Sequence, residues 1–150
     1  MVATLQRLAV LTLALTAVLW AVWWSTHGHA LVGVLGALAV LLLHALVLAV
    51  EFLIVPYMNR DDPAPRQSLR ELVSAWWNET RLGLRVFGWD QPFRSRVHPD
   101  HLSADMHGRR GVLLVHGFMC NRGFWNAWMP RLRARGVPFI APSLEPAFGS

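Results

Sequence analysis

Two long apolar runs open the chain, and shorter apolar stretches broken by polar turns follow. Residues 8–24 hold no ionisable side chain and lie between Arg7 and the polar segment 25–29. Residues 30–55 form a longer run interrupted only by His44 and Glu51. A hydrocarbon core of about 30 Å is crossed by roughly 20 apolar helical residues. The pattern therefore predicts spans over about 8–24 and about 30–55, paired as a transmembrane helical hairpin over 1–58. Trp20, Trp23 and Trp24 make an interfacial belt at the end of the first span. Gly33, Gly36 and Ala37 give the second a small-residue face on which the first can pack. A cleavable signal peptide with Arg7 as its basic region is the rival reading. Three tryptophans and two histidines make a poor cleavage site, and a second span follows at once, so the hairpin is preferred.

Beyond the hairpin the pattern becomes polar and proline-punctuated over 59–67, which reads as a linker. Ser68-Leu-Arg-Glu71 has the form of a capping box and opens an amphipathic helix predicted over 68–84. Leu69, Leu72, Val73, Trp76 and Trp77 recur there at helical spacing, as core packing or membrane-surface docking requires. Residues 85–89 read as a short strand, and 111–115 as a strand buried on both faces. Asn121 is placed to cap a helix from about Gly123 to Arg135, with Gly136 as its stop. Residues 137–141 read as the next strand. Strand, helix and strand joined by short connections predict a parallel βαβ unit.

Composition sharpens the division. The 150 residues are 54% hydrophobic and only 15% charged, and Arg7 and Glu51 are the only Asp, Glu, Lys or Arg residues before residue 56. The formal charge of +5 comes from scattered arginines without lysine. No basic stripe interleaved with aromatics is present, so nucleic acid is not an expected partner; a lipid bilayer is. The hairpin loop carries no arginine, whereas Arg7 precedes it and Arg60, Arg66 and Arg70 follow it. The positive-inside rule then places both termini in the cytoplasm, with the chain integral to the inner (cytoplasmic) membrane. His44 and Glu51 stand seven residues apart on one helical face. The plain reading is a neutral histidine bonding across the hairpin and a glutamate at the interface, the other an intramembrane functional pair. A transporter subunit has only the two spans and His44 behind it. Cys120, the sole cysteine, excludes an internal disulfide and a cysteine-cluster zinc site. His98, Asp100, His101, Asp105 and His107 share a loop but match no ligand spacing, so a solvated loop is expected, with neither metal nor cofactor.

The stretch 111–125, GVLLVHGFMCNRGFW, carries the candidate chemistry. With VLLVHGF over 112–118, residues 121–125 and the proline-rich continuation 141–146, it resembles the N-terminal portion of the α/β-hydrolase superfamily, on its bacterial triacylglycerol lipase and esterase side. The resemblance covers about 87–150. It implies an α/β fold class, with an incomplete α/β-hydrolase-type parallel sheet over 85–150 after the membrane hairpin. It further implies that the backbone amide of Phe118 donates to a tetrahedral oxyanion and that His116 and Gly117 shape the turn; proximity to lipid, by association alone, points to an acyl ester substrate. His116 is not the proton-shuttling base on this reading. No G-x-S-x-G occurs, none of Ser68, Ser74, Ser95, Ser103, Ser143 or Ser150 stands in such a setting, and no nucleophile, acid or base can be assigned. Residues 85–150 also supply too few elements to cover both faces of a parallel sheet. The expectation is a membrane-anchored serine hydrolase of lipase or esterase type whose chain continues past Ser150 into its nucleophile, this stretch being inactive alone. The alternative is a non-catalytic integral membrane protein with a cytoplasmic partner-binding segment.

Overall fold

The computed structural model describes residues 1–63, 66–102, 108 and 110–145. Among these, helices dominate: α1 is Val2–Thr26, α2 Ala30–Leu41, α3 Leu43–Met58, α4 Leu69–Arg85, α5 the short turn Gln91–Phe93, and α6 Met129–Ala134. Two-residue strands β1 (Val112–Leu113) and β2 (Phe139–Ile140) are accompanied by a π turn, Val86–Asp90, and a 3-10 turn, Arg122–Trp125. The chain divides into two compact units, Val10–Gly83 and the pair of segments Met1–Ala9 and Leu84–Ser150.

In the Val10–Gly83 unit, α1 alone is long and apolar enough to cross a membrane, and α2 with α3 passes the same test as a pair bent by 64°. Most of their apolar side chains are exposed in the isolated chain. The small-residue face is used as expected. A Cβ at Gly33 would lie 2.9 Å from the Ala21 carbonyl oxygen and 3.3 Å from the Trp24 Cβ, and one at Gly36 would meet the Trp20 indole. Trp20 Nε1 also donates to the Val32 carbonyl at 3.3 Å, so α1 and α2 touch at backbone distance.

The second apolar run is not one rod. No proline or glycine stands at residues 41–43, yet the helix breaks at Leu42. The break coincides with the place where α4 docks: the His44 imidazole lies against the Gly83 backbone, and Trp76 Nε1 donates to the Ala45 carbonyl at 2.9 Å. An outside donor in the first turn of α3 competes with the helix ladder, a recognised cause of kinks. His44 thus packs on α4, not across the hairpin on α1. The capping box forms as predicted, Ser68 N–H donating to Glu71 Oε2 at 2.7 Å and Glu71 N–H to Ser68 Oγ at 3.3 Å.

In the other unit the expected α/β class is overturned. The described part of 85–150 forms no α/β-hydrolase-type parallel sheet; among the described residues there is one two-stranded ladder in a mostly helical chain. β1 and β2 are parallel, with Val112 opposite Phe139 and Leu113 opposite Ile140, so the predicted strand–helix–strand order survives in miniature. β1 is not buried on both faces: Leu113 is 64% exposed. Among the described residues no further strand widens this ladder, and α6 covers one side of it. Its packed side consists of Leu114, Met129, Phe139 and Ala141, backed by Trp125 and Leu132.

Two further expectations fail locally. The strand predicted over 85–89 is instead a π-helical turn, Val86–Asp90, running from α4 into α5. The wide turn carries Asp90 and Gln91 into the interior, where a Cβ at Gly123 would lie 2.7 Å from the Asp90 carbonyl oxygen. The single helix predicted from Gly123 to Arg135 is split into a 3-10 turn, Arg122–Trp125, and α6. Pro130 cannot donate inside a helix and is tolerated only in a first turn, so α6 begins there.

Two outcomes test this packing. Gly33→Leu is expected to cost about 1–3 kcal/mol through overpacking, read as earlier unfolding of the detergent-solubilised protein. The Ser68 backbone and hydroxyl, both donating to Glu71, hold its carboxyl below the usual carboxylate range. Stabilisation by the ionised form is complete above the ordinary glutamate range and is lost as pH falls through the lowered native value. Ser68→Ala is expected to move the Glu71 side-chain NMR titration upward; an unmoved midpoint would show that the box does not set it.

Candidate functional site: the His116–Asn121 turn

β1 ends in a chain reversal whose groups are held at several points. His116 is buried, with Nδ1 2.9 Å from the Gly117 carbonyl oxygen and Nε2 accepting from Leu144 N–H at 2.9 Å. Both ring nitrogens are engaged by backbone, which suits a histidine that shapes a turn and leaves none for proton shuttling. Cys120 N–H donates to the Gly117 carbonyl at 3.2 Å, closing a four-residue turn over Gly117–Cys120.

The residue that supplies the left-handed step is not a glycine. Met119 has φ +57°, and Gly117 is not among the positive-φ residues. A left-handed conformation costs an L-residue roughly 1–2 kcal/mol, so the surroundings must over-determine it. They do so through side-chain amides. Gln6 Nε2 donates to the Met119 carbonyl at 3.0 Å, while Gln6 Oε1 accepts from Asn121 Nδ2 at 2.9 Å. The same Nδ2 donates to the Gln91 carbonyl at 3.0 Å, and Gln91 Oε1 accepts from Asn121 N–H at 2.9 Å. Asn121 Oδ1 accepts from Gly123 N–H at 2.8 Å, the predicted cap, here opening the 3-10 turn. Sequence reasoning found Asn121 and missed Gln6 and Gln91, which lie 115 and 30 residues away in sequence.

Phe118 follows at the crest, its side chain 73% exposed. Three groups that could have competed for a catalytic role are otherwise placed. Ser143 Oγ accepts from Arg122 N–H at 3.3 Å, and no described serine hydroxyl is hydrogen-bonded to a histidine. Burial pushes the Cys120 thiol up, against smaller opposing effects of the Gln91 side chain and the Gly117 backbone, which keeps it protonated and a poor nucleophile. Among its described residues the histidine-bearing loop is tied down at two points while still reaching solvent: His101 and Phe139 exchange backbone hydrogen bonds at 3.0 Å in both directions, and Asp100 pairs with Arg122 at 2.7 Å. Asp105, His107 and Ser103 lie outside the described residues, as do Arg109 and 146–150.

Strain at Met119 gives a direct test. Met119→Gly removes a left-handed penalty of roughly 1–2 kcal/mol and returns part of it as unfolded-chain entropy. The variant is expected to unfold at a higher temperature than the parent, and unfolding at a lower temperature would contradict the assignment. No protein-family model, curated protein or solved structure matches this chain, so its function is argued from its own residues.

Proposed function

We propose that this chain anchors an acyl-ester hydrolase of serine type in the cytoplasmic membrane and contributes one side of its oxyanion site. On this reading α1 and the α2–α3 pair lie in the bilayer, and the residues that carry arginine face the cytoplasm. The supporting observation is the hydrogen bonding of the turn after β1: His116 engaged at both nitrogens, with the Gly117 and Met119 carbonyls each occupied as acceptors. Oxyanion stabilisation depends on backbone donors that need no reorganisation when charge develops. The Phe118 amide is the donor in this proposal, and His116 and Gly117 are positioning residues. The reading rests on the turn and does not require a wider sheet than the two-stranded ladder seen among the described residues.

A second reading, a non-catalytic integral membrane protein with a partner-binding cytoplasmic segment, is favoured by one observation: no described serine has a histidine partner. Hydrolysis of a short-chain ester by the native protein in its membrane separates the two. Phe118→Pro removes the backbone donor and is expected to lower kcat by about 100- to 1000-fold, whereas Phe118→Leu keeps it and stays near the parent. Equal losses in both variants, or no hydrolysis by the parent, would overturn the proposal.

A further inference from the structure

Beside the start of α1 lies a cavity of about 850 Å³ lined by Arg7, Arg94, Arg96 and Arg122, with Thr4 and Glu145 among its other walls. Four guanidinium groups around one space repel one another unless something neutralises them. Glu145 does so only in part. Its carboxylate is held by the Met1 ammonium at 2.9 Å and by Val2 N–H at 3.1 Å, and these contacts, Met1 first, keep it below the usual range.

The arginines differ in what already occupies them. Arg7 Nε donates to the Pro92 carbonyl, and its guanidinium lies 6.0 Å from the Phe93 ring centre. Arg122 Nη2 is taken by Asp100 and the His98 carbonyl at 2.7 and 2.8 Å, but its Nε is buried without a partner. No described carboxylate lies within ion-pair distance of Arg94 or Arg96. The local field is positive: His98, next to the lining residues, is pushed down by burial first and then by Arg94, Arg133 and Arg122, against the opposing Asp90.

We propose that this cavity binds the phosphate of an anionic glycerophospholipid headgroup, with Arg94 and Arg96 as its principal ligands and Arg7 closing it from α1. Guanidinium groups suit phosphate because their fixed N–H forks match its oxygens. A lipid is the favoured source because Arg7 and Thr4 stand on the same helix as the apolar run that follows. α1 is continuous from these residues into that run. Free phosphate shares the chemistry and is separated by the test. The inference uses the placement of α1 in a bilayer and is independent of ester hydrolysis.

The full chain in neutral maltoside micelles would be titrated by calorimetry with dihexanoyl phosphatidylglycerol, dihexanoyl phosphatidylcholine and inorganic phosphate. One phosphatidylglycerol per chain is expected, with phosphatidylcholine and inorganic phosphate each weaker by about tenfold or more. R94Q/R96Q is expected to weaken phosphatidylglycerol by about tenfold or more, and R94K/R96K to recover part of it. Circular dichroism of each variant establishes that it is folded. Unchanged affinity in a folded R94Q/R96Q, equal binding of the two lipids, or inorganic phosphate binding as tightly as phosphatidylglycerol would overturn the proposal.

Discussion

The turn that follows β1 depends on a cluster of three side-chain amides. Asn121 uses its backbone N–H, both ends of its carboxamide and its cap position at once, meeting Gln91, Gln6 and Gly123. Its backbone N–H fixes the orientation of Gln91, since only the Oε1 end can accept there. Gln6 then joins this pair to the Met119 carbonyl. Hydrogen bonds in such a cluster are costly to lose once one member is removed, and here all but the buried Gln91 Nε2 among the Asn121 and Gln91 carboxamide groups are engaged. The cluster is what makes a non-glycine residue tolerable at φ +57°, and so sets the path of the chain through Phe118. Gly123 serves the same end by absence: a side chain there would strike the Asp90 and Gln91 backbone.

In the Val10–Gly83 unit the governing contacts are of the opposite kind. Apolar side chains outside a bilayer gain nothing from facing water, and most of those on α1, α2 and α3 do face outward. These helices meet through close backbone approach and a few polar contacts, not through a hydrophobic core. Gly33 and Gly36 supply the first, and the Trp20 and Trp76 indoles donating to carbonyls supply the second. Trp76, half-buried, is therefore a fastening between α3 and α4, while Trp77 remains outward at 58% exposure.

Features whose cause is local were legible in the sequence. Ser68 and Glu71 meet within one helical turn, Asn121 caps its own neighbour, Gly136 stops α6 with φ +62°, and the apolar runs follow from composition. Features caused by distant contacts were not. The stretch 85–89 has the β-branched and aromatic content of a strand, but the need to bring Asp90 and Gln91 against Gly123 draws it into a π turn. The break at Leu42 has no proline or glycine to announce it. Pro130 is the local signal that divides the helix predicted over 123–135. The resemblance over 112–118 pointed to a turn that exists, yet carried with it a sheet that these residues do not build, because two strands of two residues cannot bury each other's faces.

The central claim, that the side-chain amides hold the chain through Phe118, is tested most directly by hydrogen exchange at the Cys120, Asn121 and Gly123 amides. Gln91→Leu keeps the volume of the side chain and removes the acceptor for Asn121 N–H. The account predicts protection at all three amides in the parent, and its loss at Asn121 and Gly123 in the variant while the α6 amides exchange as before. Equal protection in both proteins would mean that the turn holds its shape without the amide cluster.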